Sequence, residues 1–312
     1  LATDDGLIVV RNETGDYCYY TLEGPTQIIA HNKHERSLDE QRLVEEMGEN
    51  IRFFDVQTTV MSQKIVAHVE QAIQASQVPN VGKVRVPIIV VEFADKKVSN
   101  PIDAFSNHYN QGANSARQYF IDQSNGKFEP QFDVFGVYEL SENREAYGGN
   151  NLNGSDKGVA KMVAEACDLA KQNSDINWAN YDNNGDGICD VVMVVFAGVG
   201  EAQAAATVPN AIWPCQWTLA DAAAMGDGPG MKDYDGITVN KFAVFNEVQG
   251  RFDTNTVLDG IGTFCHEFSH CLGLPDFYMT TYGAEYGMGT WSLMDYGCYN
   301  NNGNTPVGYN AY

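Results

Sequence analysis

Positive charge is what this chain has least of: 19 Lys and Arg stand against 41 Asp and Glu in 312 residues, for a net charge of −22. That balance repels phosphate backbones and anionic membrane surfaces, so no nucleic-acid partner is expected, while solubility and bound cations are favoured. Long apolar runs are missing too. The longest, residues 191–200, lies between Asp190 and Glu201 and is far shorter than the ~20 residues that cross a bilayer, so no membrane span is expected. Seven cysteines cannot all pair, and no two form a close Cys-x-x-Cys site. The chain begins at Leu1 without an initiating methionine, which suggests a targeting segment already removed. A hydrophobic content of 44% is enough for one or two domains with a sizeable core.

What the chain does have is the run His-Glu-Phe-Ser-His-Cys-Leu-Gly-Leu-Pro-Asp at residues 266–276. In a helix, His266 and His270 lie one turn apart on one face, so both imidazoles can reach one metal ion. Glu267 stands too far round to be a ligand. It can instead take a proton from an activated water and later give it to a leaving amine. Gly273 can adopt the left-handed conformation that ends a helix and Pro275 cannot continue one, so the chain turns back. The reversal brings Asp276 towards the metal as a third protein ligand and leaves a fourth position open for water, the arrangement of a catalytic zinc. Two neutral imidazoles and one carboxylate leave about one unit of positive charge, which can lower the pKa of water there to roughly 7. Glu285 is an alternative third ligand, because two-histidine zinc sites also take a glutamate.

Residues 182–190, Asp-Asn-Asn-Gly-Asp-Gly-Ile-Cys-Asp, form a second metal motif. Asp182, Asn184, Asp186 and Asp190 fall at the oxygen-donor positions of a calcium loop, Gly187 at its tight turn, and Ile188 where a carbonyl is used. Met193 at the twelfth position is wrong for an EF-hand, and a solvated acidic turn is the other reading of the same residues. Cys265 and Cys271 are six residues apart and face different sides of a helix, so packing rather than a bridge is expected; Cys298 could meet one of them.

Residues 289–297, Gly-Thr-Trp-Ser-Leu-Met-Asp-Tyr-Gly, resemble the Met-turn of the metzincin peptidases. The resemblance implies that Met294 underlies the zinc, and that the phenol of Tyr296 lies beside it to stabilise the oxyanion of a tetrahedral intermediate. Gly-Leu-Pro-Asp at 273–276, Asp-Gly-Ile-Gly-Thr-Phe at 259–264, and residues 196–201 followed by Ile212-Trp213-Pro214 are similar to the immune inhibitor A family of secreted bacterial metallopeptidases. That resemblance covers residues 84–312. It implies a zinc endopeptidase acting on protein or peptide substrates, secreted or at a bacterial cell surface. Three positions depart from the pattern: Asp276 stands where most metzincins have a histidine, and Phe196 and Cys215 stand where a histidine is usual.

Residues 7–10 and 17–20 with a turn at 12–15 carry a hairpin signal, residues 31–50 are mixed polar, 58–75 are helix-like and 77–82 read as a linker. Residues 1–83 resemble a propeptide, which implies a zymogen; an ordinary accessory domain is the other reading. From 84 to 312 the pattern gives a buried strand at 86–93, a helix at 115–124 and a strand pair or bent strand at 128–140. It continues with an amphipathic helix at 155–172, a buried strand at 191–196 and the histidine helix at 260–272 with Asp259 as its cap. The expected fold is α/β (α+β): a zincin-like catalytic domain with a twisted mixed sheet, an active-site helix and an irregular lower subdomain, preceded by a small α+β N-terminal domain. The alternative function is a calcium-dependent binding or adhesion protein on a degenerate peptidase fold, which would have no need of Glu267 as a proton carrier.

Overall fold

The chain separates into two units, Leu1–Gln74 and Ala75–Tyr312. The computed structural model describes residues 9–11, 17–21, 24–47, 78–151, 156–278 and 287–309. In the first unit β1 (Val9–Arg11), β2 (Tyr17–Thr21) and β3 (Gly24–Ile29) form an antiparallel sheet in that order, with Val9 opposite Tyr19. The polar stretch after it holds a helix, α1 (Leu38–Met47), that the hydrophobic pattern does not announce. It starts with a capping box: Ser37 Oγ accepts from the Glu40 N–H at 3.2 Å and the Glu40 carboxylate accepts from the Ser37 N–H at 2.9 Å. Leu43 and Val44 join Ala30 against Tyr19, and polar residues outnumber apolar ones along the helix. The helix-like segment at 58–75 lies outside the described residues.

The second unit is built on a five-stranded mixed sheet. In chain order its elements are β4 (Gly82–Glu92), α2 (Ile102–Asn110), α3 (Ala116–Gln123), β5 (Phe128–Glu139), α4 (Val159–Asn173), β6 (Ile188–Cys189) and β7 (Val192–Phe196). Then come α5 (Glu201–Ala204), β8 (Cys215–Thr218), α6 (Leu219–Ala224), β9 (Lys232–Tyr234), β10 (Ile237–Val239), β11 (Lys241–Asn246) and α7 (Ile261–Cys271). The sheet order is β5-β4-β7-β11-β8, parallel except for β8, which runs antiparallel along the edge. The apolar runs of β4, β7 and β11 follow from burial on both faces. Ile89, Val91, Val194, Phe196, Phe242 and Val244 pack with Met162, Val163 and Ala166 of α4; Ile88, Val90, Met193, Val195 and Phe245 pack with Phe105, Phe120, Phe264 and Phe268.

Residues 128–139 make one strand rather than a pair, with its register against β4 shifting between Val90 and Val91. Ser115 caps α3 by accepting from the Gln118 N–H. α4 starts at Val159, later than expected, where the Asp227 carboxylate receives the N–H groups of Ala160 at 2.9 Å and Lys161 at 3.3 Å. A cap supplied from residue 227 leaves no mark near residue 159 in the sequence.

The seat of α7 matters most for the site. Its N-cap is Gly260, not Asp259. Asp259 is buried one residue earlier, where it accepts from the Gly260 N–H, the Thr263 hydroxyl and Asn246 Nδ2, and so ties the first turn to the end of β11. On the other side, a Cβ on Gly262 would run into the carbonyl oxygen of Cys298, and Gly262 donates its own N–H to Gly303 O at 2.9 Å. The helix therefore lies flush against residues 298–303. Gly262→Ala is expected to destabilise the fold by about 2 kcal/mol, the usual scale of overpacking, or roughly 4–8 °C for a unit of this size. Thermal denaturation measures it, and an unchanged melting temperature would show that this contact is not tight.

Candidate metal centre

One turn of α7 separates His266 from His270, whose rings lie 4.7 Å apart between centroids and nearly perpendicular at 89°. Each Nδ1 meets a backbone carbonyl, His266 at Leu293 O (2.8 Å) and His270 at Leu274 O (2.7 Å). A carbonyl only accepts, so each Nδ1 carries a hydrogen, and each neutral ring presents a lone pair at Nε2. Those two atoms face each other at 3.1 Å, and Asp276 Oδ1 lies 3.3 Å from one and 3.2 Å from the other. Asp276 Oδ1 is buried and has no hydrogen-bond partner among the described residues.

Three electron-rich atoms at these separations repel unless positive charge stands among them. A proton is one way to supply it: burial pulls His266 down, yet Asp276, Cys298 and Glu267 outweigh burial and hold it up at about 11. Asp276 sits well below the usual carboxylate range, since the two histidine rings whose Nε2 atoms lie 3.3 and 3.2 Å from its Oδ1 outweigh the opposing effect of burial. A divalent cation is the other way. Ligands 2.0–2.1 Å from a tetrahedral zinc are about 3.3 Å from one another, close to the 3.1, 3.2 and 3.3 Å separations here. The residues fit the ion.

Backbone turns deliver the third atom. Gly273 takes φ +98°, its N–H bonds to His270 O, and the Leu274 N–H bonds to Ser269 O, the paired bonds of a Schellman motif. The motif aims the Leu274 carbonyl at His270 and carries Asp276 back to the histidines. Met294 is buried in the core cluster that holds Phe264 and Phe268, with its carbonyl accepting from the Phe277 N–H at 2.8 Å, while Asp295 accepts from the N–H groups of Tyr296 (2.7 Å) and Gly289 (2.6 Å). The same turn thus orients His266 through Leu293 and braces the strand that follows Asp276.

Beside the three donors is a pocket of about 240 Å³ whose walls include His266, Glu267, Trp213, Tyr278, Tyr296 and Cys298. Burial pushes the Glu267 carboxyl up to about 7 against the pull of His266 and His270, so a proton can be both taken and released near neutral pH. Tyr296 stands at the rim, 65% exposed. Sequence reasoning missed Tyr278, 39% exposed and in the same wall. Burial first, then the negative charge of Asp276, pushes its phenol up, so it is a hydrogen donor at ordinary pH. A tyrosine two residues past Asp276 carries no periodic signal in a segment that is neither helix nor long strand.

The remaining residues are placed as follows. In the 182–190 loop, Asp182 receives the N–H groups of Gly185, Asp186 and Gly187, Asn184 receives that of Asp186, and Asp186 receives that of Ile188. Asp190 accepts from Asn183 through Oδ2, while its buried Oδ1 has no partner among the described residues; burial first, with Asp186 and Asp182 adding, pushes its carboxyl up to about 6. Ile188 pairs with Thr238 in the small sheet β6-β10-β9. Among the described residues the group of three metal-ligating side chains that comes together is His266, His270 and Asp276. Glu285 lies outside the described residues. Phe196 is buried core in β7, Cys215 lies on the edge strand β8, and Cys167, Cys189, Cys215, Cys265 and Cys298 form no disulfide. No described helix is long and apolar enough to cross a membrane.

Over 201 residues the chain is 31% identical to the pre-pro-metalloprotease PrtV of Vibrio cholerae, covering 59% of this chain and 21% of that protein. Over 275 residues it is 27% identical to immune inhibitor A of Bacillus thuringiensis subsp. alesti, covering 74% of this chain and 39% of that protein. The chain therefore spans well under half of either relative. The profile of the immune inhibitor A peptidase M6 catalytic domain matches residues 93–312, and the chain belongs to that family of metallopeptidases.

Proposed function

We propose that the protein is a secreted zinc endopeptidase in which His266, His270 and Asp276 hold the metal and Glu267 is the general base. The observation that carries this reading is the convergence of two lone-pair nitrogens and one orphaned carboxylate oxygen at the edge lengths of a zinc tetrahedron. Zinc held there would supply Lewis acidity, polarising the scissile carbonyl and acidifying the attacking water. Glu267 accepts the proton of that water on its carboxylate and passes it to the leaving amine. The Leu293 and Leu274 carbonyls keep both imidazoles in one tautomer throughout. Tyr296, at the rim of the same pocket, is the candidate donor to the developing oxyanion, swinging in from its exposed position as substrate binds.

Two further readings attach to this one. Residues 1–83 act as a propeptide, which is supported by the separation of the first unit from the second and by the word "pre-pro" in the name of the Vibrio relative. Asp182, Asn184, Asp186, Asp190 and the Ile188 carbonyl hold calcium, which is supported by the buried, unpartnered Oδ1 of Asp190. An adhesion protein on a degenerate fold is the weaker reading, because a buried Glu267 beside two aligned imidazoles serves proton transfer and not adhesion.

Glu267→Ala should keep one zinc per chain while turnover falls by about 10²–10⁴ or more, the scale of a lost general base; zinc analysis and peptide cleavage give the two readouts, and near-normal cleavage would reject the role. Calcium should raise the melting temperature of the zinc-loaded protein, and Asp190→Asn should abolish that rise with little change in kcat. A melting temperature indifferent to calcium would leave the loop a solvated acidic turn. Limited cleavage between residues 75 and 83 should raise peptidase activity several-fold; a full chain as active as its cleaved product would make the first unit an accessory domain.

A further inference from the structure

The three donor atoms are unequally supported. His266 and His270 each lean on a backbone carbonyl and ride on a buried helix. Asp276 lies beyond that helix with its side chain 23% exposed, and among the described residues no backbone N–H donates to its carboxylate. A ligating carboxylate without a partner can rotate away from its metal, which is why such groups are generally hydrogen-bonded from behind. Besides the two imidazoles, the described polar side chain placed to reach Asp276 is the phenol of Tyr278, two residues further along the chain, which shares a pocket wall with His266 and is pushed up by burial and then by the negative charge of Asp276.

Tyr278 is itself well anchored. Phe277 before it exchanges backbone bonds with Met294 and Met288, and Tyr278 pairs antiparallel with Gly287. The close approach needs glycine: a Cβ on Gly287 would come to 3.1 Å from Tyr278 Cα and 2.5 Å from Asp295 Oδ2. The backbone of Tyr278 is thereby fastened to the turn that orients His266, and its ring forms a wall of the pocket with His266 and Glu267. A phenol fixed in this way beside an ionised carboxylate is suited to a short, charge-assisted hydrogen bond.

We propose that Tyr278 is a positioning residue of the metal centre, its hydroxyl donating to the Asp276 carboxylate and so holding Oδ1 against the two Nε2 atoms. The proposal rests on the reading of His266, His270 and Asp276 as zinc ligands. It gives the two tyrosines of the pocket different tasks. Tyr278 serves the metal and Tyr296 serves the substrate.

The test is zinc affinity, measured on the full chain by competition with a chromogenic chelator, for wild type, Tyr278→Phe, Tyr278→His and Tyr296→Phe. Tyr278→Phe should bind zinc about 10–100-fold more weakly, the usual cost of losing a partner behind a ligand. Tyr278→His, which retains a ring N–H donor, should recover part of the loss, and Tyr296→Phe should bind as wild type does. With zinc in excess, kcat of Tyr278→Phe should return to within a few-fold of wild type, because mass action refills the site. The melting temperature of each metal-free variant checks that the fold is intact. Wild-type affinity in a folded Tyr278→Phe would overturn the proposal, and wild-type affinity with a lowered kcat would assign the phenol to the reaction itself. A wild-type chain that binds no zinc would overturn the ligand reading as well. Tight zinc binding without peptide cleavage would count against the proposed endopeptidase activity and leave the affinity comparison intact.

Discussion

Three lone-pair atoms held within 3.3 Å of one another, two of them in neutral imidazoles, is an arrangement that a folded chain keeps only if positive charge offsets their repulsion. Much of the second unit can be understood as the means of enforcing it. The Leu293 and Leu274 carbonyls fix which nitrogen of each ring is bare. The Schellman turn at Gly273 reverses the chain in the shortest distance that returns a carboxylate to the two rings. Asp295 and Met294 hold the segment that supplies one of those carbonyls. If any of these supports were lost, rotation of a side chain would relieve the repulsion and the site would open.

The helix that bears the histidines is buried almost throughout, which is unusual for a segment with an ionisable group at its centre. Phe264 and Phe268 face inward onto the aromatic cluster with Phe120, Phe132 and Phe245, so the apolar side of α7 compensates for the polar side. The same burial sets the chemistry. Glu267 would be an ordinary weak base on a solvated helix; desolvation lifts it into the range where it can both take and release a proton near neutrality. Packing and the raised proton affinity of Glu267 thus have one origin here, and a change that loosened the aromatic cluster would lower both.

Local signals were legible in the sequence and remote ones were not. The strand at 86–93, the helix at 115–124 and the histidine helix could be read because their apolar spacing or caps lie within a few residues of the elements they define. The bend at Gly273 could be read for the same reason. By contrast, the late start of α4 depends on Asp227, and the N-cap of α7 moved to Gly260 because Asp259 is engaged by Asn246 and Thr263. α1 was missed although its capping box is present, since its apolar residues are outnumbered by polar ones in a stretch that is polar overall. Tyr278 was missed because its meaning depends on what it faces, and facing is a property of the fold.

Asp276 illustrates why the departure from a third histidine is chemically consequential. A carboxylate reaches less far than an imidazole, so the backbone must come closer, and the tight reversal at Gly273 provides that approach. It also brings a negative charge that two neutral imidazoles lack, which lowers the net charge of a zinc site from +2 to +1 and weakens its pull on electrons. A hydrogen bond to the carboxylate from behind acts in the opposite sense, drawing charge away from the oxygen that faces the metal. In a chain with a net charge of −22, attraction of cations in general is assured. In the proposed zinc site, what would need tuning is how strongly the ion polarises a substrate, and the group proposed to adjust that through Asp276 is the phenol of Tyr278 in the pocket wall.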